Sequence, residues 1–149
     1  MTTWTNADFE QLSWHDCCVY GLRIVEGEHG TGGLELDLDY LVEWVCHTDR
    51  RYEFRVAPAT LTFHEIFRLR MLLDYAAVSA GTVPFSLDGV EREAFSYPNG
   101  HQSFRWVLKI NWPGGSISFE SPGFTQALTA EPVLLEAQSF ARGSRPVTR

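Results

Sequence analysis

Residues 34 to 44 read Leu-Glu-Leu-Asp-Leu-Asp-Tyr-Leu-Val-Glu-Trp, and this alternation is the tightest constraint in the chain. Neighbouring side chains of a β-strand point to opposite faces, whereas a helix needs apolar residues three and four apart. The spacing therefore predicts one face of Leu34, Leu36, Leu38, Tyr40, Val42 and Trp44, and an opposite face of Glu35, Asp37, Asp39 and Glu43. A leucine row against a core with carboxylates outside is the signature of an antiparallel sheet.

The same period recurs elsewhere. Cys18, Tyr20, Leu22 and Ile24 alternate with Cys17, Val19, Gly21 and Arg23, and the glycine-rich loop from Gly27 to Gly33 turns that strand into the next. Tyr52, Phe54 and Val56 lead to Pro58, which predicts a bulge or an edge because it lacks an N–H. Leu61 and Phe63 resume the pattern. Residues 66–75 fit a strand by alternation and a helix by the spacing of Ile66, Leu69 and Leu73; the nine-residue alternation favours strand. Further strands are predicted at Phe85–Leu87, from Phe104 to Trp112, and at Ile117 and Phe119, with Pro98-Asn99-Gly100 and Pro113-Gly114-Gly115 as turns. Thr5 or Asn6 can cap a short helix ending at Leu12, and 127–140 suits a second helix. The expectation is a mainly β fold, with an α+β alternative, in which an antiparallel meander of about seven strands closes into a barrel or a two-layer sandwich. Residues 1–142 form one domain, and 143–149 form a frayed tail.

A 149-residue chain has enough interior for one core, and its 13% aromatic content suits pleated sheets. The formal net charge is −7, the wrong sign for tracking phosphates, so nucleic acid is not an expected partner. Between Glu26 and Glu53, eight acidic residues against Arg50 and Arg51 leave a local balance of −6. The last eight residues reverse the sign with Arg142, Arg145 and Arg149. No basic leader and no run of about 18 apolar residues is present, and the three cysteines make no disulfide framework, so a cytoplasmic, non-membrane protein is expected.

Three chemistries are open. Trp14-His15-Asp16-Cys17-Cys18 sets an imidazole, a carboxylate and thiols at a strand start. His15 and Cys17 share a face and would chelate if Cys46, His47 or His64 came near, since zinc needs three or four ligands at about 2.0–2.3 Å. A metal-assisted hydrolase would thus use His15, Asp16, Cys46 and His64. The bland alternative is a satisfied surface histidine and buried cysteines. Second, Glu35, Asp37, Asp39 and Glu43, spaced about 6.5–7 Å along one face, suit a basic protein partner, or are simply solvated. Third, Trp4, Trp14, Trp44, Trp106 and Trp112 would line a small-molecule cavity in a barrel, or pack the core. There is no Gly-x-Ser-x-Gly elbow and no P-loop, Lys109 being the only lysine, and no cofactor is expected.

Four blocks occur in order: Ser13-Trp14-His15-Asp16, then Leu36 to Trp44, then Val56-Ala57-Pro58-Ala59-Thr60-Leu61-Thr62-Phe63, then Gly123-Phe124-Thr125-Gln126. Together they resemble an uncharacterised family of small bacterial proteins, a resemblance that covers residues 13 to 126 and implies no activity. In size, acidity and strand content the chain loosely resembles immunity proteins of bacterial toxin systems, which implies a protein partner. The leading expectation is therefore a non-enzymatic binding protein acting through its acidic face. An exposed edge strand would also allow a homodimer.

Overall fold

The computed structural model describes residues 2–146. Over those residues ten strands follow one another: β1 (Thr3–Thr5), β2 (Cys18–Val25), β3 (Gly33–Cys46), β4 (Tyr52–His64), β5 (Phe67–Leu73), β6 (Phe85–Ser96), β7 (Gln102–Trp112), β8 (Gly115–Ser121), β9 (Gly123–Leu128) and β10 (Val133–Leu135). All pair antiparallel in one sheet of order β1-β9-β4-β3-β2-β6-β7-β8-β5, with β10 beside β4. The sheet is mainly β as expected, but it has ten strands rather than seven. It does not close into a barrel, because the terminal strands β1 and β5 each pair on one side only and not with each other.

Two arms of this sheet face each other. They join where β2 and β6 share only the pairs Cys18–Ser86 and Val19–Phe85. From one arm, Leu34, Leu36 and Leu38 lie opposite Phe63, Leu61 and Ala59, all without solvent exposure. From the other, Trp106 and Leu108 lie opposite Phe119 and Ile117. The arms meet through Phe63, whose ring lies 5.0 Å from Trp106 and 4.7 Å from Phe119, both edge-on. Edge-on aromatic pairs add roughly 0.5–1.5 kcal/mol each to the ~1.5–3 kcal/mol gained by burying such a side chain. The indole N–H of Trp106 donates to the Ser121 carbonyl and that of Trp14 to Gln126, so neither buried indole lacks a partner.

The remaining segments differ from expectation for local reasons. The N-terminal helix is a 3-10 helix over Asn6–Gln11, with the Thr5 N–H donating to Asp8 and Phe9 packed on Trp14 and Trp106. The second helix, expected over 127–140, is absent. Ala127 and Leu128 instead extend the β9 ladder along β4, and Pro132 precedes the short β10. Residues 67–73 are the strand β5, with a register shift between Phe67 and Arg70. Pro58 sits inside β4 without breaking it. Its carbonyl accepts from Thr129 N–H, and a strand residue's N–H and C=O point the same way. The missing donor therefore falls where β9 stops pairing and β10 starts.

Candidate functional site

The site grows from the outer face of β3. Two register shifts decide which side chains stand there. Val19 pairs with Leu38 and Gly21 with Asp37, so Tyr20 is an extra residue whose side chain joins the outer face. Further along, Leu41 pairs with Val56 and Glu43 with Arg55, leaving Val42 as the extra residue. This second bulge reverses the alternation. Glu43 turns to the opposite face from Asp39, and Trp44 turns to the acidic side. The four carboxylates therefore do not form the single row that the sequence predicts.

They also differ in company. Glu35 bonds to Arg23 at 2.6 Å, and Glu43 lies 3.3 Å from Arg55; both are surface pairs. Asp39 has no solvent exposure, because residues of the C-terminal segment cover it. Its Oδ2 accepts the Tyr20 hydroxyl at 2.7 Å and the Phe140 N–H at 3.0 Å. Its Oδ1 accepts Arg145 Nε at 2.7 Å. The same guanidinium forks onto Asp37, at 2.7 Å from Oδ1 and 3.0 Å from Oδ2, and donates to the Leu38 carbonyl at 3.0 Å. Its carbon lies 4.2 Å from the Tyr20 ring centroid, a cation–π distance.

A buried carboxylate is costly unless it is paired and hydrogen-bonded, and this seat supplies both. Burial, then the hydrogen bond to Asp39, pushes the Tyr20 hydroxyl well above its ordinary range. For Arg145, burial works against the charge, but the bonds to Asp37 and Asp39 outweigh it and hold the cation more firmly. Beside the seat lies a groove of about 890 Å³ lined by Cys18, Tyr20, Val83, Phe140, Arg142 and Arg145, among others. Asp37 keeps about half of its side chain exposed (49%) and forms the solvent-facing rim.

The chain matches no family model, no curated protein and no solved structure. The seat is therefore read from its own geometry.

The other candidates are dispersed. The β4 strand from Tyr52 to His64 is about 40 Å long at roughly 3.3 Å per residue. Cys46 and His47 lie by its first residue, and His64 closes the other end. His47 bonds to Glu53 at 2.5 Å and His64 to the Thr125 hydroxyl at 2.8 Å. Cys17 is buried, and burial pushes its thiol up to about 12. The hydrolase set of His15, Asp16, Cys46 and His64 is thus not assembled. His15 and Asp16 do adjoin. Nδ1 of His15 donates to the Asp88 carbonyl at 2.9 Å, and Nε2 lies 3.4 Å from Asp16. The carbonyl bond, opposed by slight burial and aided by both carboxylates, raises the His15 pKa. Asn111 donates to the far oxygen of Asp16 at 3.0 Å. Among the described residues no three His, Cys, Asp or Glu side chains converge as a metal site. Nor do the tryptophans share a cavity: Trp14 and Trp106 are core, while Trp44 and Trp112 are exposed.

Tyr20, Phe140 and Arg145 are the residues that sequence reasoning passed over. The available signal was the charge reversal of the last eight residues, opposite in sign to the cluster that holds Asp37 and Asp39. Residues 143–146 of the expected tail include the arginine at the centre of the seat; 147–149 lie outside the described residues. Among the described residues no helix is long and apolar enough to cross a membrane.

Proposed function

We propose that the chain is a non-catalytic interaction protein that receives an arginine side chain of a basic partner in the Asp37–Asp39 seat. Its own Arg145 fills that seat when no partner is present. The supporting observation is the completeness of the guanidinium's coordination. Four N–H bonds reach two carboxylates and one carbonyl, and an aromatic ring lies alongside. A planar fork meets such acceptors where a lysine ammonium, a point charge, does not. The exposed rim of Asp37 gives a competing arginine a place to begin, and the adjoining groove has room for the residues that flank it. The surrounding negative field would speed the approach of a basic protein. The loose likeness to immunity proteins points the same way.

The test frees the seat without deleting the strap. Arg145→Ala is titrated with an end-blocked peptide of residues 138–146, Gln-Ser-Phe-Ala-Arg-Gly-Ser-Arg-Pro. Binding that requires the peptide's second arginine, and that Asp37→Ala abolishes, defines the seat in trans. The immobilised Arg145→Ala protein should then retain a basic protein from the native host, and the peptide should displace it. A folded Arg145→Ala protein that retains none, or retains only proteins the peptide leaves in place, overturns the reading.

A further inference from the structure

A second surface carries the opposite charge. Arg68, Arg70 and Arg105 line a groove of about 620 Å³ on the outer face of the other arm, together with Leu69, Val107 and Ser118. One carboxylate, Glu120, stands among them with only 8% of its side chain exposed. Its oxygens lie 3.8 Å from Arg68 Nε and 3.8 Å from Arg105 Nε, too far for hydrogen bonds, while the Tyr97 hydroxyl donates to it at 2.9 Å. Arg70 forms no ion pair among the described residues. Three guanidinium groups thus line the groove with one acid, in a chain whose net charge is −7. Glu93, opposite Arg105 on β6, shares the face but lies outside the lining, and Glu91 is paired with Lys109.

The groove borders the open edge of the sheet. β5 is the terminal strand and pairs only with β8, so the outward half of its N–H and C=O ladder from Phe67 to Leu73 meets no other strand. Phe67, Arg70 and Leu72 lie opposite Glu120, Ser118 and Ser116, which alternate along β8 and so share the outer face. Phe67 and Leu72 are 47% and 62% exposed. An extended segment pairing with β5 would set every second side chain over the arginine face, with its backbone supplying the missing ladder.

We infer that β5 and the Arg68–Arg70–Arg105 groove bind an acidic polypeptide segment by strand addition. The occupant is acidic because an alternating row of carboxylates meets three cations, two of them held only loosely by Glu120. It is not a second copy paired through β5 about its middle residue. That symmetry sets Arg70 against Arg70, and like charges directly opposite destabilise a strand pair. The proposal concerns a different surface and a partner of opposite charge from the Asp37–Asp39 seat, and stands independently of it.

The probe is an end-blocked ten-residue peptide alternating Glu and Thr, followed by fluorescence anisotropy and by the amide NMR shifts of β5. Binding is expected to weaken as salt rises, to weaken at least about tenfold in Arg70→Glu/Arg105→Glu, and to be lost when alternate peptide nitrogens are methylated. The amide spectrum of the double variant establishes that it remains folded. Arg70→Gln/Arg105→Gln, which removes charge without adding any, gives an intermediate loss. Equal binding by the methylated peptide overturns strand addition. Equal binding by both variants overturns the site, and so does absence of binding at millimolar peptide in low salt. Tighter binding of a ten-nucleotide oligothymidylate than of the peptide overturns the partner class.

Discussion

Arg145 reaches back 106 residues to place its Nε 2.7 Å from Oδ1 of Asp39, a carboxylate with no exposure to solvent. The bond ties the end of the described chain to the centre of β3. It also makes the fate of one acidic residue depend on a side chain that the strand pattern does not contain.

Removing that arginine leaves Asp39 buried with two donors, Tyr20 and Phe140, and no cation. Breaking one side of a buried pair costs about 3–5 kcal/mol, and the partial exposure of this site lowers the figure to about 2–3 kcal/mol. Arg145→Ala should therefore shift the urea midpoint down without changing the slope. Arg145→Lys should recover only part of the loss, because an ammonium cannot fork onto Asp37 while bonding Asp39. A loss under about 0.5 kcal/mol for the alanine variant would show that the strap does not hold the sheet.

Glu43 and Asp39 look alike in sequence but should behave differently. Glu43→Ala removes a surface pair with Arg55 and should cost at most about 0.5 kcal/mol. Asp39→Ala removes at once the acceptor of the Tyr20 hydroxyl, the Phe140 N–H and Arg145 Nε, leaving the arginine only Asp37 and the Leu38 carbonyl. It should cost several times more in the same denaturant titration. Equal effects would mean that the bulge at Val42 does not separate the two.

Tyr20 couples the seat to alkaline pH. Its neutral form is favoured in the folded state, so its pKa there lies above the ordinary 10.0. A raised pKa gives stability that is fully present below the unfolded value and is lost as pH rises beyond it. Stability should thus fall from about pH 10 upward, with Tyr40, pushed up to about 12 by burial, adding to the fall. Tyr20→Phe should be less stable at pH 7 but lose less between pH 9 and 11. Absorbance of tyrosinate at high pH and unfolding curves at each pH would check both parts; a parallel decline of wild type and variant would refute the coupling.

The thiols should separate by burial. Cys46 is exposed, whereas burial lifts Cys17 to about 12 and raises Cys18 as well. Since the thiolate is the reactive form, iodoacetamide near pH 8 should modify Cys46 first and leave Cys17 untouched until the protein unfolds. Peptide mass spectra over time would report it. Cys17 labelling as fast as Cys46 would place that residue at the surface.

Much of the sheet was legible from local pattern. The rows Leu34-Leu36-Leu38 and Leu61-Phe63 are core because period two puts them on one face and water drives that face inward. The turns at 98–100 and 113–114 fell where proline, glycine and asparagine cluster. The expected helix over 127–140 failed because residues 127 and 128 satisfy their backbone along β4, a partner about 68 positions distant in sequence, which propensity does not register. The acidic stripe was legible as far as Asp39 and illegible beyond it, since a bulge is a choice of register between two strands rather than a property of one.

By itself the sequence determined the strand period, the leucine and aromatic core, and the excess of acid on β3, because these follow from each residue's own chemistry and its nearest neighbours. Only the tertiary structure decided where the period slips, at Tyr20 and Val42, and which carboxylate is enclosed. The physical reason is distance along the chain. Asp39 is buried by Phe140 and neutralised by Arg145, and no local rule connects residues that meet only once the sheet has formed and the C-terminal segment has folded over it.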